Sequence, residues 1–148
     1  EELSTLFYKN RGNLLLVGGA VRDLLIGISP LELDFEARGM NLQEIKKLLS
    51  DKFKCDEVGK AFGVLRIKGF PIEIALPRTE KKAGTGHKGF DVEIDHHLPF
   101  ERAVQRRDFT INAMALDPLE RILLDPCNGE EDLKNSLLPF KLPPIILI

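Results

Sequence analysis

Residues 16–27, LVGGAVRDLLIG, decide how this chain folds, because they join an apolar strand to a helix through two adjacent glycines. The mostly apolar run 13–17 is typical of a buried strand. After the glycine pair, residues 20–26 carry apolar side chains at helical spacing, and Gly27 stands where a helix would stop. The pattern therefore predicts a strand–turn–helix unit.

Outward from this unit, the chain continues to alternate between strand and helix patterns. Strand patterns occur at residues 32–37, 55–58, 64–68 and 72–76, with a hairpin at 113–117 and 121–124. Helical patterns occur at residues 4–10, 42–49 (with Asn41 as the N-cap), 100–106 and 130–138. Residues 78–89 are polar and basic and hold three glycines, which predicts a mobile loop. The order predicts a mixed α/β (α+β) fold with one sheet and no second domain.

The composition is that of one globular domain. The chain has 148 residues, of which 43% are hydrophobic and 30% charged. No apolar run reaches the roughly 20 residues needed to span a bilayer. No signal-peptide pattern opens the chain, so we expect a cytoplasmic protein without a membrane partner. Cys55 and Cys127 lie far apart and indicate no disulfide framework or zinc site.

The charge distribution narrows the class of partner. A net charge of −2 argues against a general nucleic-acid coat protein. Basic residues nevertheless cluster at 78–88 and at 102–107. A local anion site is compatible with this near-neutral chain.

Three acidic residues stand on predicted strands. Glu32 and Asp34 are two residues apart, so strand period places both side chains on one face. Two carboxylates on one face repel each other unless a divalent cation lies between them, and phosphoryl and nucleotidyl transfer use this arrangement. Glu73 stands between two isoleucines on a later strand and is a third candidate, which could position or deprotonate an attacking hydroxyl. Taken alone, each is also explained as an ordinary acid on a solvent-facing strand.

Gly18 and Gly19 form a candidate phosphate site. Their missing side chains let phosphates approach the backbone N–H groups at the start of a helix. Arg22 follows one turn later, where its guanidinium can reach the same phosphates. The spacing matches neither a Walker loop nor a dinucleotide-binding fingerprint. The alternative is a tight strand–helix turn that binds nothing.

The stretch 106–115, RRDFTINAMA, sets polar residues among apolar ones. We therefore expect Arg107, Asp108 and Asn112 to be partly buried and to need partners. A phosphate and a ribose hydroxyl would serve. The alternative is an internal salt bridge that supports the fold.

Taken together, these motifs resemble the head domain of the class II tRNA nucleotidyltransferases (CCA-adding enzymes) and of bacterial poly(A) polymerases. The resemblance covers residues 14–138. VGGAVRDLLIG is similar to the family's glycine and phosphate motif, and ELDFE to its metal-binding Asp-x-Asp. IEIALPRTEKKAGTGHKGF looks like its third-carboxylate strand and flexible loop. RRDFTINAMALDP followed by LLDPCNGEEDLKN is the most specific stretch.

The resemblance implies a nucleotidyltransferase head domain over residues 1–138, with a mixed sheet flanked by helices. It implies template-independent addition of CMP and AMP, taken from CTP and ATP, to the 3′ end of tRNA by a two-metal mechanism. Within the glycine motif Gly19 would contact the nucleotide, together with Arg22 and Arg107. Asp108 and Asn112 would help fix the ribose.

The resemblance also implies a metal site and later domains. Glu32 and Asp34 would bind Mg²⁺, or Mn²⁺, beside Glu73 as the third carboxylate. Position 32 is Glu where the family pattern usually has Asp, so the longer side chain must fold back to hold a metal. In the family, helical neck, body and tail domains follow the head, read the base and hold tRNA. Here the apolar stretch 139–148, PFKLPPIILI, follows instead, and we expect weak tRNA binding.

Two classes of function remain open at this point. The first is an enzyme domain that extends RNA 3′ ends, for which CCA addition, partial CC or A addition and poly(A) synthesis are not distinguished. The second is a catalytically weak nucleotide-binding or assembly module that needs a partner chain. Glu32 and the lack of a neck sequence favour the second in part. The first is favoured by four candidate site residues: Asp34, Glu73, Arg22 and Arg107.

Overall fold

The computed structural model describes residues 2–58, 63–82 and 90–136. In these ranges the α-helices are α1 Glu2–Lys9, α2 Gly19–Leu25, α3 Leu42–Ser50, α4 Phe100–Ala103 and α5 Gly129–Ser136. The strands are β1 Asn13–Val17, β2 Leu33–Arg38, β3 Cys55–Val58, β4 Val64–Ile67, β5 Ile72–Ala75, β6 Arg78–Lys82, β7 Phe90–Ile94, β8 Ala115–Leu116 and β9 Leu123–Leu124. Two short 3₁₀ helices, Val104–Arg106 and Thr110–Asn112, join α4 to β8.

The main sheet is mixed, as the resemblance implied. Its described strands run in the order β3-β4-β5-β2-β1-β8-β9. The prediction of a single sheet is wrong, because among the described strands β6 and β7 pair only with each other and form a second, two-stranded sheet. The pairing of β2 with β5 is parallel, and the other pairings in the main sheet are antiparallel. Gly18 therefore follows the end of β1 at the same edge of the sheet where β2 and β5 begin.

One side of the main sheet carries the hydrophobic core. Because side chains alternate along a strand, Leu14 and Leu16 of β1 share a face with Phe35 and Ala37 of β2. We call this side the apolar face. It packs against α1, α2, α3 and α5 through Phe7, Val21, Leu25, Ile45, Leu49 and Leu133. Burial of these side chains is the main contribution to the stability of the fold.

The other side of the sheet is chemically different. We call it the charged face, because it carries Asp34 and Glu36 of β2, Arg66 of β4 and Glu73 of β5. It also holds a smaller apolar cluster that packs against α4 and the first 3₁₀ helix, made by Leu15, Val17, Phe100, Val104, Ala113 and Ala115. The charged residues therefore lie on the same face as a second, smaller packed cluster of apolar side chains.

Several predicted elements are confirmed. β1 and β3 have the predicted bounds. Residues 69–71, which join the predicted strands 64–68 and 72–76, form a turn in which Gly69 has φ 83°. Asn41 caps α3, since its side chain accepts hydrogen bonds from the N–H groups of Gln43 and Glu44, both at 3.0 Å. The carboxylate of Glu44 in turn accepts a hydrogen bond from the N–H of Asn41, which completes a capping box.

Other predictions are wrong in part. Residues 78–82 form strand β6 and not a loop, because they pair in register with β7. The strand was missed because RTEKK contains no apolar alternation. The helix predicted at 100–106 is α-helical only to Ala103, and the strands predicted at 113–117 and 121–124 are two residues each. The rest of the predicted loop, 83–89, and the stretch 139–148 lie outside the described residues. No helix in the described ranges is long and apolar enough to cross a membrane.

Candidate active site

Asp34 and Glu73 form the centre of the site. They are direct partners in the parallel pairing of β2 with β5, so their side chains lie next to each other on the charged face. The pKa of Asp34 is raised above its ordinary value, first by burial and then by the negative charge of Glu73. The positive charge of Arg107 acts in the opposite direction. The two carboxylates therefore repel each other, and a cation bound between them would reduce this repulsion.

Glu32 is placed differently from the prediction. β2 begins at Leu33, and Glu32 lies in an exposed bend one residue earlier. Strand period therefore does not set the direction of its side chain, which corrects the expectation that it shares a strand with Asp34. Its charge still raises the pKa of Asp34, as the smallest of the contributions. Glu32 thus lies at the edge of the site.

The glycine pair lies under two guanidinium groups. Gly18 has φ 72° and ψ −140°, a conformation that a residue with a side chain adopts only with strain. A Cβ on Gly18 would lie 3.0 Å from Nη1 of Arg107, and a Cβ on Gly19 would lie 3.4 Å from Nη2 of Arg22. The missing side chains leave room for both arginines to reach the turn.

Arg22 is held by two partners. Its Nε and Nη2 donate to Oδ1 of Asp23 at 2.9 and 2.7 Å, and its Nη1 donates to Oδ1 of Asn112 at 3.0 Å. Asn112 therefore belongs to the site, although its contact in this structure is with Arg22. Asp23 was not predicted, and the Arg-Asp dipeptide after the glycine pair was the signal for it. These bonds fix the guanidinium beside the turn.

The 3₁₀ helix that carries Asn112 is supported from α5. Thr110 donates from Oγ1 to Oδ2 of Asp132 at 2.5 Å. Gly129 lies so close that a Cβ there would meet the carbonyl oxygen of Thr110 at 2.3 Å. Asp125 in turn accepts from the N–H groups that begin α5. The two segments of the most specific sequence stretch, 106–118 and 123–135, thus meet in the structure and support Asn112, the partner of Arg22.

Arg107 connects the turn to the carboxylates. Its pKa is lowered because burial removes the guanidinium from water, while the charges of Glu36 and Asp34 oppose this effect. Glu36 is itself only 4% exposed and forms an ion pair with Arg38. Asp108 is exposed, and among the described residues its side chain makes no hydrogen bond or ion pair. The structure therefore brings Arg107 into the site, while it gives Asp108 no described partner.

Sequence reasoning missed two further charged residues. Glu36 continues the Asp34 side of the ELDFE motif by strand period, and this alternation could have identified it. Arg66 interrupts the apolar strand VLRI and forms an ion pair with Glu73. Nothing in the local sequence of Arg66 shows this contact, because it depends on how β4 pairs with β5.

The residues present fit a divalent cation of the Mg²⁺ type. Mg²⁺ is usually bound by one or two carboxylates together with substrate phosphates, so it does not require a full protein cage. The part of the chain that the structure describes contains no group of three or more His, Cys, Asp or Glu side chains arranged around a metal position. Asp34 could supply an oxygen ligand, and its ionised form is disfavoured by burial and by the charges of Glu73 and Glu32.

A mixed sheet that sets paired carboxylates beside a glycine turn and two guanidinium groups is the architecture of a nucleotidyltransferase head domain. Comparison with known proteins agrees with this class. The chain belongs to the Poly A polymerase head domain family, which it matches over residues 14–139.

The chain is also similar to individual proteins that are named CCA-adding enzyme or tRNA nucleotidyltransferase. The chain is 38% identical over 123 residues to the CCA-adding enzyme of Francisella tularensis, an alignment that covers 83% of this chain and 32% of that protein. It is similar to the solved CCA-adding enzyme of Bacillus stearothermophilus in complex with CTP, with a TM-score of 0.69 and 26% identity over 90% of this chain and 30% of that one. A tRNA nucleotidyltransferase complexed with a primer tRNA and an incoming ATP analogue gives a TM-score of 0.66 and 28% identity, over 89% and 36% of the two chains. The chain thus spans about a third of the length of these relatives.

Proposed function

We propose that this chain is the catalytic head of a template-independent nucleotidyltransferase that adds CMP and AMP, taken from CTP and ATP, to the 3′ end of tRNA. The observation that carries the proposal is the Asp34–Glu73 pair beside the turn of Gly18. The similarity to a CTP complex and to a complex with primer tRNA and an ATP analogue supports these substrates.

The incoming triphosphate lies at the glycine turn. Gly18 and Gly19 let its phosphates approach the backbone, and the guanidinium groups of Arg22 and Arg107 offset its negative charge. Because Asp23 and Asn112 already hold Arg22, little side-chain entropy is lost when the nucleotide binds.

The carboxylates act on the reacting groups. Asp34 and Glu32 would hold Mg²⁺, or Mn²⁺, together with the triphosphate, and the bound ion would stabilise the negative charge of the pyrophosphate. Glu73 orients the 3′-hydroxyl of the RNA and accepts its proton. The 3′-oxygen bonds to the α-phosphorus, and the bond from that phosphorus to the bridging oxygen breaks, which releases pyrophosphate. Asp108, which is exposed beside Arg107, is available for a ribose hydroxyl.

Two other functions are distinguished by the product. A poly(A) polymerase, which the family name includes, would extend an RNA with many adenosines. A catalytically weak nucleotide-binding or assembly module is favoured by one observation, the position of Glu32 outside β2. Such a module would bind ATP and CTP without transfer.

Incorporation of labelled nucleotide into tRNA that lacks its terminal CCA tests the proposal. We expect Mg²⁺-dependent addition of C and A residues that stops at a defined length. Asp34→Ala should reduce the rate on the order of 1,000-fold, because a central group of the site is lost. The matched control is Asp56→Ala, an exposed acid on the same face of the sheet but at edge strand β3.

Three outcomes would contradict the proposal. An Asp34→Ala variant with full activity would show that the site lies elsewhere. Long adenosine products would identify a poly(A) polymerase. Binding of ATP and CTP by calorimetry without any incorporation would identify the binding module.

A further inference from the structure

A row of charged residues crosses the charged face from the edge of the sheet to the proposed active site. Asp56 of β3 is the direct partner of Arg66 on β4, Arg66 is the partner of Glu73 on β5, and Glu73 is the partner of Asp34 on β2. Neighbouring strands lie about 4.8 Å apart, so each side chain reaches the next. Arg66 is the only cation in this row of four.

Arg66 contacts Glu73 in an asymmetric way. Its Nε donates to Oε1 of Glu73 at 2.9 Å, and its Nη2 donates to the same oxygen. A bidentate arrangement would use both carboxylate oxygens. Here Oε2 of Glu73 has no hydrogen-bond partner among the described residues. The carboxylate is thus held by one oxygen while the other is available.

The geometry also explains why Arg66 turns toward Glu73. Asp56 lies on its other side, but Asp56 forms an ion pair with Lys68 at 3.0 Å. Lys68 therefore occupies the competing carboxylate. The side chains of Arg66 and Glu73 are 58% and 36% exposed, and ion pairs at that exposure contribute little to stability. Stability alone does not account for the arrangement.

We propose that Arg66 is a positioning residue, which holds Oε1 of Glu73 so that Oε2 faces the 3′-hydroxyl of the RNA. The inference rests on the proposed function, because it assigns Glu73 the role of orienting that hydroxyl. Arg66 itself touches no reacting atom. Its guanidinium also offsets the charge of Glu73 beside Asp34, which lowers the cost of bringing the two carboxylates together.

Substitution of Arg66 tests the inference through the rate of nucleotide addition. We expect Arg66→Ala to lower kcat about 10- to 100-fold, as is typical when a partner of a functional ligand is removed, with little change in KM for ATP or CTP. Arg66→Lys should recover part of the loss, and guanidinium added at a non-denaturing concentration should partly restore Arg66→Ala. Thermal unfolding should stay close to that of the parent chain.

The matched control is Lys46→Met. Lys46 forms an ion pair with Glu57, and Glu57 lies on β3 with its side chain on the apolar-face side, since it is the partner of Leu65. This variant removes the same charge and a comparable ion pair away from the site. We expect full activity.

A double-substitution cycle with Glu73→Gln separates the inference from the proposed function. If Arg66 acts through Glu73, the double variant is no slower than Glu73→Gln alone. Full activity of Glu73→Gln would overturn the proposed role of Glu73 and the inference with it. If Glu73→Gln is slow and Arg66→Ala is not, only the inference fails. An Arg66→Ala loss that persists in the Glu73→Gln background as a higher KM for RNA would make Arg66 an RNA contact and would also overturn it.

Discussion

The two faces of the main sheet have different roles. Along a single strand, the residues on the apolar face stabilise the fold, and those on the charged face carry the proposed site. On β4, Leu65 is 1% exposed and packs in the core, while the next residue, Arg66, is largely exposed and holds Glu73. On β2, Phe35 lies in the core between Asp34 and Glu36. Because strand period alternates the faces, a rigid core lies directly behind the charged row. The site is positioned by burial on the opposite side of the same backbone.

The largest effect that tests this division is expected at Leu65. Leu65→Ala should lower the free energy of unfolding by about 2–5 kcal/mol, because it leaves a cavity in the core. Arg66→Ala should change that free energy much less and should act on kcat. Denaturant unfolding of both variants checks the contrast. If the two variants are equally destabilised, the faces do not divide the roles.

The glycine turn offers the next largest effect. Gly18→Ala should cost about 1–3 kcal/mol of stability through backbone strain, and the new Cβ, 3.0 Å from Nη1 of Arg107, should displace that guanidinium. Affinity for ATP measured by calorimetry with Mg²⁺ should fall about tenfold, or roughly 1.4 kcal/mol.

Gly27→Ala is the matched control for the glycine turn. Gly27 has φ 78°, similar to Gly18, but a Cβ there would meet nothing within 4 Å. Gly27→Ala should therefore lower the stability through backbone strain but leave the affinity for ATP unchanged. Equal affinities of the two variants would argue against a phosphate site at the turn.

Local signals in the sequence predicted the parts of the molecule that local chemistry determines. The glycine turn, the capped helix α3 and the bounds of β1 depend on residues close together in the chain. The Arg22–Asn112 contact joins residues 90 positions apart. The sequence analysis assigned both residues to one nucleotide site, on the basis of motifs and resemblance and not of periodicity, but it did not predict the contact between them.

The rest could not be predicted because it depends on pairing between distant strands. Arg66 acquires a role only when β4 pairs with β5, and a shift of register by one residue would turn it into the core. Four of the five residues of β6, RTEKK, are charged, so no hydrophobic pattern marks it as a strand. Its strand structure depends on its pairing with β7. Glu32 was misplaced by a single residue, because the alternation in ELDFE does not mark where pairing with β5 begins, which is at Leu33.

The position of Glu32 leads to a smaller expected effect. Because Glu32 lies in an exposed bend before β2, the backbone there is less constrained than at Asp34. Glu32→Asp should leave nucleotide incorporation unchanged or raise it, and stability should not change. Parallel rate measurements on Asp34→Glu, where the strand fixes the backbone, should show a clear loss. A sharply slower Glu32→Asp variant would show that the site requires the longer side chain.

The smallest effect concerns the dependence of stability on pH without divalent cations. The pKa of Asp34 lies above its ordinary value of 3.8, first because of burial and then because of Glu73. A pKa raised by folding contributes stability below the unfolded value, and this contribution is lost as the pH rises through the folded value. Ionised Asp34 therefore destabilises the fold at neutral pH. Asp34→Asn should be more stable than the parent chain there, and the difference should vanish as the pH falls below 3.8.

Two comparisons sharpen this last prediction. Asp56→Asn makes the same change at the other end of the row, where the neighbours are Arg66 and Lys68, so it should bring no gain in stability at neutral pH. Addition of Mg²⁺ should raise the unfolding midpoint of the parent chain more than that of Asp34→Asn, because a cation that binds only the folded state stabilises it. If Mg²⁺ shifts both midpoints equally, Asp34 does not hold the ion. The repulsion between Asp34 and Glu73 would then be a cost of the fold that no metal relieves.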